Sequence, residues 1–413
     1  MSEDARRAAE TAARVSYGRL LAMLVSWSRD ISSAEEALAE AFTAALSTWA
    51  ARGVPANPEA WLLTAARNEL RNSYRHRDVR EAARQEIERR IEERSAAGDE
   101  LFPDERLKLL FICAHPAIDP AMRTPLMLQT VLGLDARRIA SAFLVAPAAM
   151  GQRLVRAKAK IKDSGMRYEI PTSDHLPERL NDVLNAVYAA YGTGWDSLQG
   201  AAPPPEDLTE EAIFLGRLLA GLMPDEPEVK GLLALMLYCQ ARRAARRDAS
   251  GQFVPLGQQD PRLWSRDMII EAEGLLTSAA RAARFGRFQC EAAIQSVHVQ
   301  RPIHGQLNHE ALKILYDLLA THVPSVGVLV GRAAAALDAG TPAVALRYLD
   351  DLASAPTESY QPYWVTRAHV LAALKRFAEA GQSLQTAIGL TEDSAVRGYL
   401  LGVGETWMDN GRG

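Results

Sequence analysis

Between Ala148 and Lys162 the chain carries Arg153, Arg156, Lys158, Lys160 and Lys162 and no acidic residue. Guanidinium and ammonium groups gathered on one helix hold phosphate oxygens, and Arg can also read guanine edges in a major groove. The plainer reading is a solvated helix whose cations complement the negative end of its dipole. The preceding residues favour the first reading. Asp135 to Phe143 reads as a short helix capped by Asp135, and Leu144 to Ala146 as a tight turn. Pro147 then opens the basic helix, completing a helix-turn-helix pattern whose second helix enters the groove with Gln152, Arg153, Arg156 and Lys158 as candidate contacts.

Two further sets of residues carry recognition chemistry. Arg67, Arg71, Tyr74 and Arg75 fall at i, i+4, i+7 and i+8, so a helix places them, with Asn68 beside them, on one face. Cations interleaved with an aromatic ring suit a surface that tracks a nucleic-acid backbone and stacks an unpaired base. Glu36, Glu40 and Thr43, with Glu35 alongside, form an acidic strip facing away from an apolar stripe. That strip is either ordinary solvated surface or a dock for a basic partner. Arg242, Arg243, Arg246 and Arg247 make a further cationic run; helical spacing pairs Arg242 with Arg246 and Arg243 with Arg247. They read either as caps on a helix end or as a site for an anion or an acidic partner.

Catalytic patterns are missing. The eight His include no HExxH, and no Ser-His-Asp order, P-loop or GxGxxG stands out. Cys113, Cys239 and Cys290 are too far apart for a disulfide framework or a zinc ribbon. The chain therefore reads as a non-enzyme with no cofactor and no metal.

The elements that position these residues are helical throughout, and the expected fold class is all-α. Tyr17, Leu20, Leu21 and Leu24 recur with helical period; so do Ala34, Leu38, Ala41, Ala45 and Trp49, with Ser33 and Glu36 as a capping box. Asn57 and Pro58 are N-cap and first residue of the next helix. Arg80 to Glu105 is charged and broken by Gly98 and Pro103, so it reads as a linker. Apolar order resumes at Leu107. Near the end, Leu329, Ala333, Ala336, Gly340, Ala345 and Leu349 recur 35 residues later as Trp364, Ala368, Leu371, Lys375, Ala380 and Leu384. That offset is close to the tetratricopeptide period of 34.

At 413 residues the chain has room for two to four domains. With 48% hydrophobic and 24% charged residues it is not a disordered chain. No apolar run reaches the length of a membrane span, and the first residues do not resemble a signal peptide, so a cytoplasmic location without membrane contact is expected. The formal charge of −4 is uneven: residues 1–165 carry +3 and the remainder −7.

Taken in order, three of these patterns resemble the extracytoplasmic-function (ECF) group of sigma-70 factors. The helix from Ser33 to Phe42 is similar to the part of region 2 that grips the polymerase clamp. Pro58, Trp61, Leu62, Ala66, Arg67 and Asn68 resemble the following run, whose basic continuation meets the −10 element. Leu132 to Leu134, Ile139, Ala140 and Arg153 to Ala157 resemble region 4, which reads the −35 element. The likeness spans about residues 10–165, and the added C-terminal stretch resembles the subgroup with a tetratricopeptide-like extension.

The resemblance implies region 2 at residues 1–80, a linker at 81–104, region 4 at 105–168, a second linker at 169–175 and the extension at 176–413. It implies core RNA polymerase contacts at Glu35, Glu36 and Glu40; −10 contacts at Arg67, Asn68, Arg71, Tyr74 and Arg75; and −35 contacts at Gln152, Arg153, Arg156 and Lys158. A regulatory protein or peptide at the extension is the remaining expected partner. The family has Asp where Asn72 stands, and Thr-Val-Lys-Ser where Ala149 to Gln152 stand, so no promoter sequence carries over. The competing readings are a stand-alone helix-turn-helix regulator, in which the acidic helix has no task, and a helical scaffold.

Overall fold

The computed structural model describes residues 3–28, 30–75, 102–143, 145–163, 171–196, 207–352 and 357–410. Residues 81–101 of the expected linker at 81–104, and part of that at 169–175, lie outside these residues. Among the described residues every regular element is a helix.

The chain divides into two compact units: Met1–Trp195 with Pro205–Pro224, and Asp196–Pro204 with Asp225–Gly413. The first opens with α1 (Glu3–Ser28), α2 (Ile31–Arg52) and α3 (Pro58–Arg75). Leu20, Leu21 and Leu24 of α1, Ala34, Leu38, Ala41, Ala45 and Trp49 of α2, and Leu62, Ala66 and Leu70 of α3 are buried, as their period dictates. Trp49 meets Trp61 edge-on, ring centres 5.5 Å apart. The start of α2 differs from the expected capping box. Asp30 is the N-cap, its Oδ1 accepting from Ser32 N at 3.0 Å, and Ser33 Oγ donates to its other oxygen. A carboxylate at a helix start also answers the dipole, which a hydroxyl cannot.

α4 (Glu105–Cys113), α5 (Pro120–Thr130), α6 (Ala136–Ala142) and α7 (Pro147–Asp163) follow. α1 presses on this group at Gly18, where an added Cβ would overlap the Val131 carbonyl oxygen. α8 (Leu176–Asp196) and α9 (Asp207–Leu222), expected with the C-terminal extension, belong to the first unit instead. The reason is packing. Ala190 of α8 and Leu208 of α9 close the core formed by Leu128, Ile139, Met150 and Leu154. Arg123 pairs with Asp182 at 2.7 Å, Arg106 with Glu211, and Arg179 donates to the Phe111 carbonyl.

The second unit is built on α10 (Pro227–Ala241), buried from Gly231 to Tyr238 on all sides. A helix apolar all round must be enclosed. α11 (Arg266–Ala280) and α12 (Arg287–His304) pack on it. Gly231 admits the α12 backbone; a Cβ there would sit 2.5 Å from Gln289 N. Glu228 of α10 accepts from Phe288 N and Gln289 N, both at 3.0 Å, and so caps α12 from outside.

α13 (His309–His322), α14 (Val326–Asp338), α15 (Pro342–Asp350), α16 (Gln361–Ala373), α17 (Phe377–Gly389) and α18 (Ser394–Asn410) complete it. The hairpin α14–α15 recurs as α16–α17 with both starts shifted by 35 residues. Even the turns correspond. Gly340 and Lys375, one offset apart, are both left-handed, with φ of 75° and 62°. Ala333, Ala345, Ala368 and Ala380 are fully buried at the helix crossings.

Candidate functional site

α6, a short turn and α7 form the helix-turn-helix of the first unit. Asp135 caps α6, accepting from Arg138 N at 2.9 Å, and Val145 N returns to the Ala140 carbonyl at 3.0 Å. Met150, Leu154 and Ile161 turn α7 inward at helical spacing. The same spacing leaves Gln152, Arg153, Arg156 and Lys160 exposed on the opposite side. Arg137 and Arg138 of α6 are exposed as well. Sequence reasoning did not single them out. Two adjacent arginines just inside the Asp135 cap were the available signal.

Lys158 departs from its neighbours. It is half-buried, and its Nζ lies 2.6 and 2.8 Å from the two carboxylate oxygens of Glu35 on α2. Two residues expected to serve different partners therefore satisfy each other. Tyr17 is close by: burial first, then the Glu35 charge, pushes its hydroxyl up to about 12. Glu36 and Glu40 are exposed on α2, as their spacing against the buried stripe requires. On α3, Arg67, Asn68 and Arg71 are exposed. Tyr74 and Arg75 lie in the last turn of the same helix, and their side chains are outside the described set. Asn57 Oδ1 accepts from Ala60 N at 3.0 Å and fixes where α3 begins, hence which face its cations occupy.

Arg19 of α1 pairs with Glu59 of α3. A cavity of about 370 Å³ opens where α1, α4, the α5–α6 turn and α9 meet, with Arg19, Arg106, Arg138, Glu211 and Phe214 on its wall. The Arg106 guanidinium lies over the Phe214 ring at 5.1 Å and bridges Asp104 and Glu211. Burial alone would raise Asp104, but hydrogen bonds from Arg106 hold its carboxyl below the ordinary value. For Glu211 burial wins over the Arg106 charge, and its carboxyl is raised.

The four arginines of the second unit do not share a face. α10 ends at Ala241, and Arg243 to Arg246 form a 3-10 turn, so i, i+4 spacing no longer aligns them. Arg242 is buried at 6% exposure, donating to the Tyr238 carbonyl and to Gln295. Arg247 pairs with buried Asp393 at 2.6 Å. These two serve the internal packing of the unit, and the expected common anion or partner surface is not formed. Burial, with Arg242, Arg301 and His309 around it, drives His298 down to about 4. Among the described residues no group of three His, Cys, Asp or Glu is placed to hold a metal, and no helix is long and apolar enough to cross a membrane.

Residues 179–280, from α8 to the end of α11, match a profile described as a family of unknown function (DUF6596). The matched stretch spans helices of both units. Over 384 residues the chain is 37% identical to a protein of Rhizobium meliloti (strain 1021) named uncharacterized protein R00370, covering 91% of this chain and 90% of that one. With likeness of that degree along nearly the whole of both chains, this chain belongs to the family of that Rhizobium protein.

Proposed function

We propose that the chain is an alternative sigma factor of the extracytoplasmic-function type, lending promoter specificity to core RNA polymerase in the cytoplasm. In this reading α1 to α3 serve as region 2 and α4 to α7 as region 4. The second unit is a tetratricopeptide-like module that binds a regulatory protein or peptide. The observation that carries the reading is the coexistence in one compact unit of three exposed polar faces of distinct chemistry. Glu36 and Glu40 offer an acidic face to the polymerase. Arg67, Asn68 and Arg71 offer a cationic one to the −10 element, continued by Tyr74 and Arg75 at the end of α3. Gln152, Arg153 and Arg156 face outward from a helix-turn-helix for the −35 element. A stand-alone regulator would need only the third.

Glu35 and Lys158 hold each other in this structure, so a polymerase role for one and a DNA role for the other require the pair to part. The test is direct binding. Purified core polymerase should bind the wild-type chain, and the double variant Glu36→Lys, Glu40→Lys should lose at least about tenfold in affinity, since reversing two charges turns attraction into repulsion. Both side chains are exposed, so the fold should survive the change. Wild-type affinity in the double variant would contradict the reading.

A further inference from the structure

α7 does not arrange its outer side as a solvated helix does. A surface helix normally carries its charges opposite its buried stripe. In α7 that stripe is Met150, Leu154 and Ile161, and at about 100° per residue Gln152 stands diametrically opposite it. Within about 60° of Gln152 lie Ala148, Val155, Arg156 and Ala159, all exposed. Four of these five residues are uncharged, and Val155 is 68% exposed.

The remaining cations are displaced to the sides. Lys160 and Arg153 stand about 80° and 100° round from Gln152, beyond Arg156. The other flank is occupied within the unit. Gly151 faces α6, where an added Cβ would lie 3.9 Å from the Ala136 Cβ, and Lys158 is tied to Glu35. Arg156 lies along the central strip, its Nε donating to the Gln152 carbonyl at 3.4 Å. Among the described residues no carboxylate pairs with Arg153 or Arg156.

We propose that Gln152, Val155 and Arg156 read base edges in a duplex major groove while Arg153 and Lys160 hold phosphates, so that the element bound contains an adenine, a thymine and a guanine. This rests on the DNA-binding role proposed for α7 and adds which residue reads what. A helix laid in the major groove turns its outermost strip to the bases and its flanks to the backbone. Ala148 and Ala159 keep that strip low, so the helix can approach closely. The Gln152 amide offers the donor and acceptor that match N7 and N6 of adenine, and the Arg156 guanidinium matches O6 and N7 of guanine. Val155 has no hydrogen bond to offer; the thymine 5-methyl is the apolar group of the groove and its natural partner. Gln152 and Arg156 are four residues apart, about 6 Å along the axis. At about 3.4 Å per base pair, the three bases fall within about three consecutive pairs.

The test selects duplexes from a randomised library with the full-length chain, alone and with core polymerase. The selected duplex is then remade with one base analogue at a time. Deoxyuridine in place of thymidine removes only the 5-methyl group, and a 7-deazapurine removes only N7. For the wild type, one uracil should weaken binding about fourfold, the worth of one buried methyl-sized group. One 7-deazaguanine and one 7-deazaadenine should each weaken it about tenfold. Each penalty should vanish in its own variant, Val155→Ala, Arg156→Ala or Gln152→Ala, and persist in the other two. Arg153→Ala should instead lower affinity for all duplexes alike and reduce the salt slope by about one. All four side chains are exposed, so the fold should survive, and circular dichroism melting checks that it does. A selected duplex whose binding ignores the analogues, or penalties that survive in the matching variants, overturns the proposal and leaves the sigma-factor reading in place. No selected duplex in either condition overturns both.

Discussion

The exposed faces of α2, α3 and α7 in the first unit carry Glu36, Glu40, Arg67, Arg71, Arg153 and Arg156, whereas those of α11, α12 and α13 in the second carry Ile270, Ile303 and Leu318. Charged faces attract over several ångströms and weaken with salt; apolar faces act only on contact and hardly respond to it. Under the proposed function the first unit serves highly charged partners, whereas an apolar face favours close-fitting surface. Inside, the two units are alike. Each has a helix crossing where an added Cβ would run into the backbone of the neighbouring element, at Gly18 in the first and Gly231 in the second.

That shared device gives the largest expected effects. Gly18→Ala and Gly231→Ala should each destabilise their own unit by about 3 kcal/mol, as overpacking against backbone does. Hydrogen exchange should lose protection around α1 and α5 in the first variant and around α10 and α12 in the second. Loss in both units from either change would mean that they are not separate folding bodies.

A pH dependence should separate the units next. His298 is held neutral in the second unit, with its folded pKa near 4 against an ordinary 6.5. Above pH 6.5 it is neutral whether folded or not and contributes no pH dependence. Between 6.5 and 4 the unfolded chain binds a proton that the folded one refuses, so the second unit should lose up to about 3 kcal/mol as pH falls through that window. His298→Gln should flatten this part of the curve in urea titrations at pH 7.5 and 4.5. Equal slopes for wild type and variant would contradict it.

On the charged side, Arg153→Ala or Arg156→Ala should weaken specific DNA binding by about 2 kcal/mol where a base edge is contacted. A phosphate-only role would lower affinity evenly across sequences and reduce the salt slope by about one. The smallest effect belongs to the Glu35–Lys158 pair. A double-mutant cycle with Glu35→Gln and Lys158→Ala should give a coupling of about 1 kcal/mol, above the surface norm because both side chains are mostly buried. A coupling of zero would make the pair incidental to the packing of α7 against α2.

Local signals in the sequence were legible and distant ones were not. Asn57 and Asp135 mark helix starts through bonds to residues three positions away, and Pro147 through its fixed φ and missing N–H, so their types and spacing suffice. The 35-residue recurrence of α14–α15 was readable because each helix crossing demands a small residue at a fixed place. At the start of α2 two side chains compete, and only the geometry shows that Asp30, not Ser33, takes the cap. Attachment of α8 and α9 to the first unit depends on Ala190 and Leu208 meeting Met150 and Leu154, ordinary apolar residues with nothing in their local pattern to name a partner. Nothing in Arg242 to Arg247 forbids a helix, so their local pattern reads as helical; in the structure they form a 3-10 turn, with Arg242 bonded to Gln295 and Arg247 to Asp393. Glu35 and Lys158 are 123 residues apart, and each looks from its own neighbours like solvated surface.

The role proposed for the first unit is to direct polymerase to promoters. Transcription in vitro from fragmented genomic DNA of the organism that encodes the chain, using purified core polymerase with and without it and sequencing the transcript 5′ ends, tests this most directly. The account predicts new start sites that appear only with the chain, share upstream elements near −35 and −10, and vanish with the Glu36→Lys, Glu40→Lys variant. An unchanged set of 5′ ends, with a chain that is folded and binds duplex DNA, would contradict it.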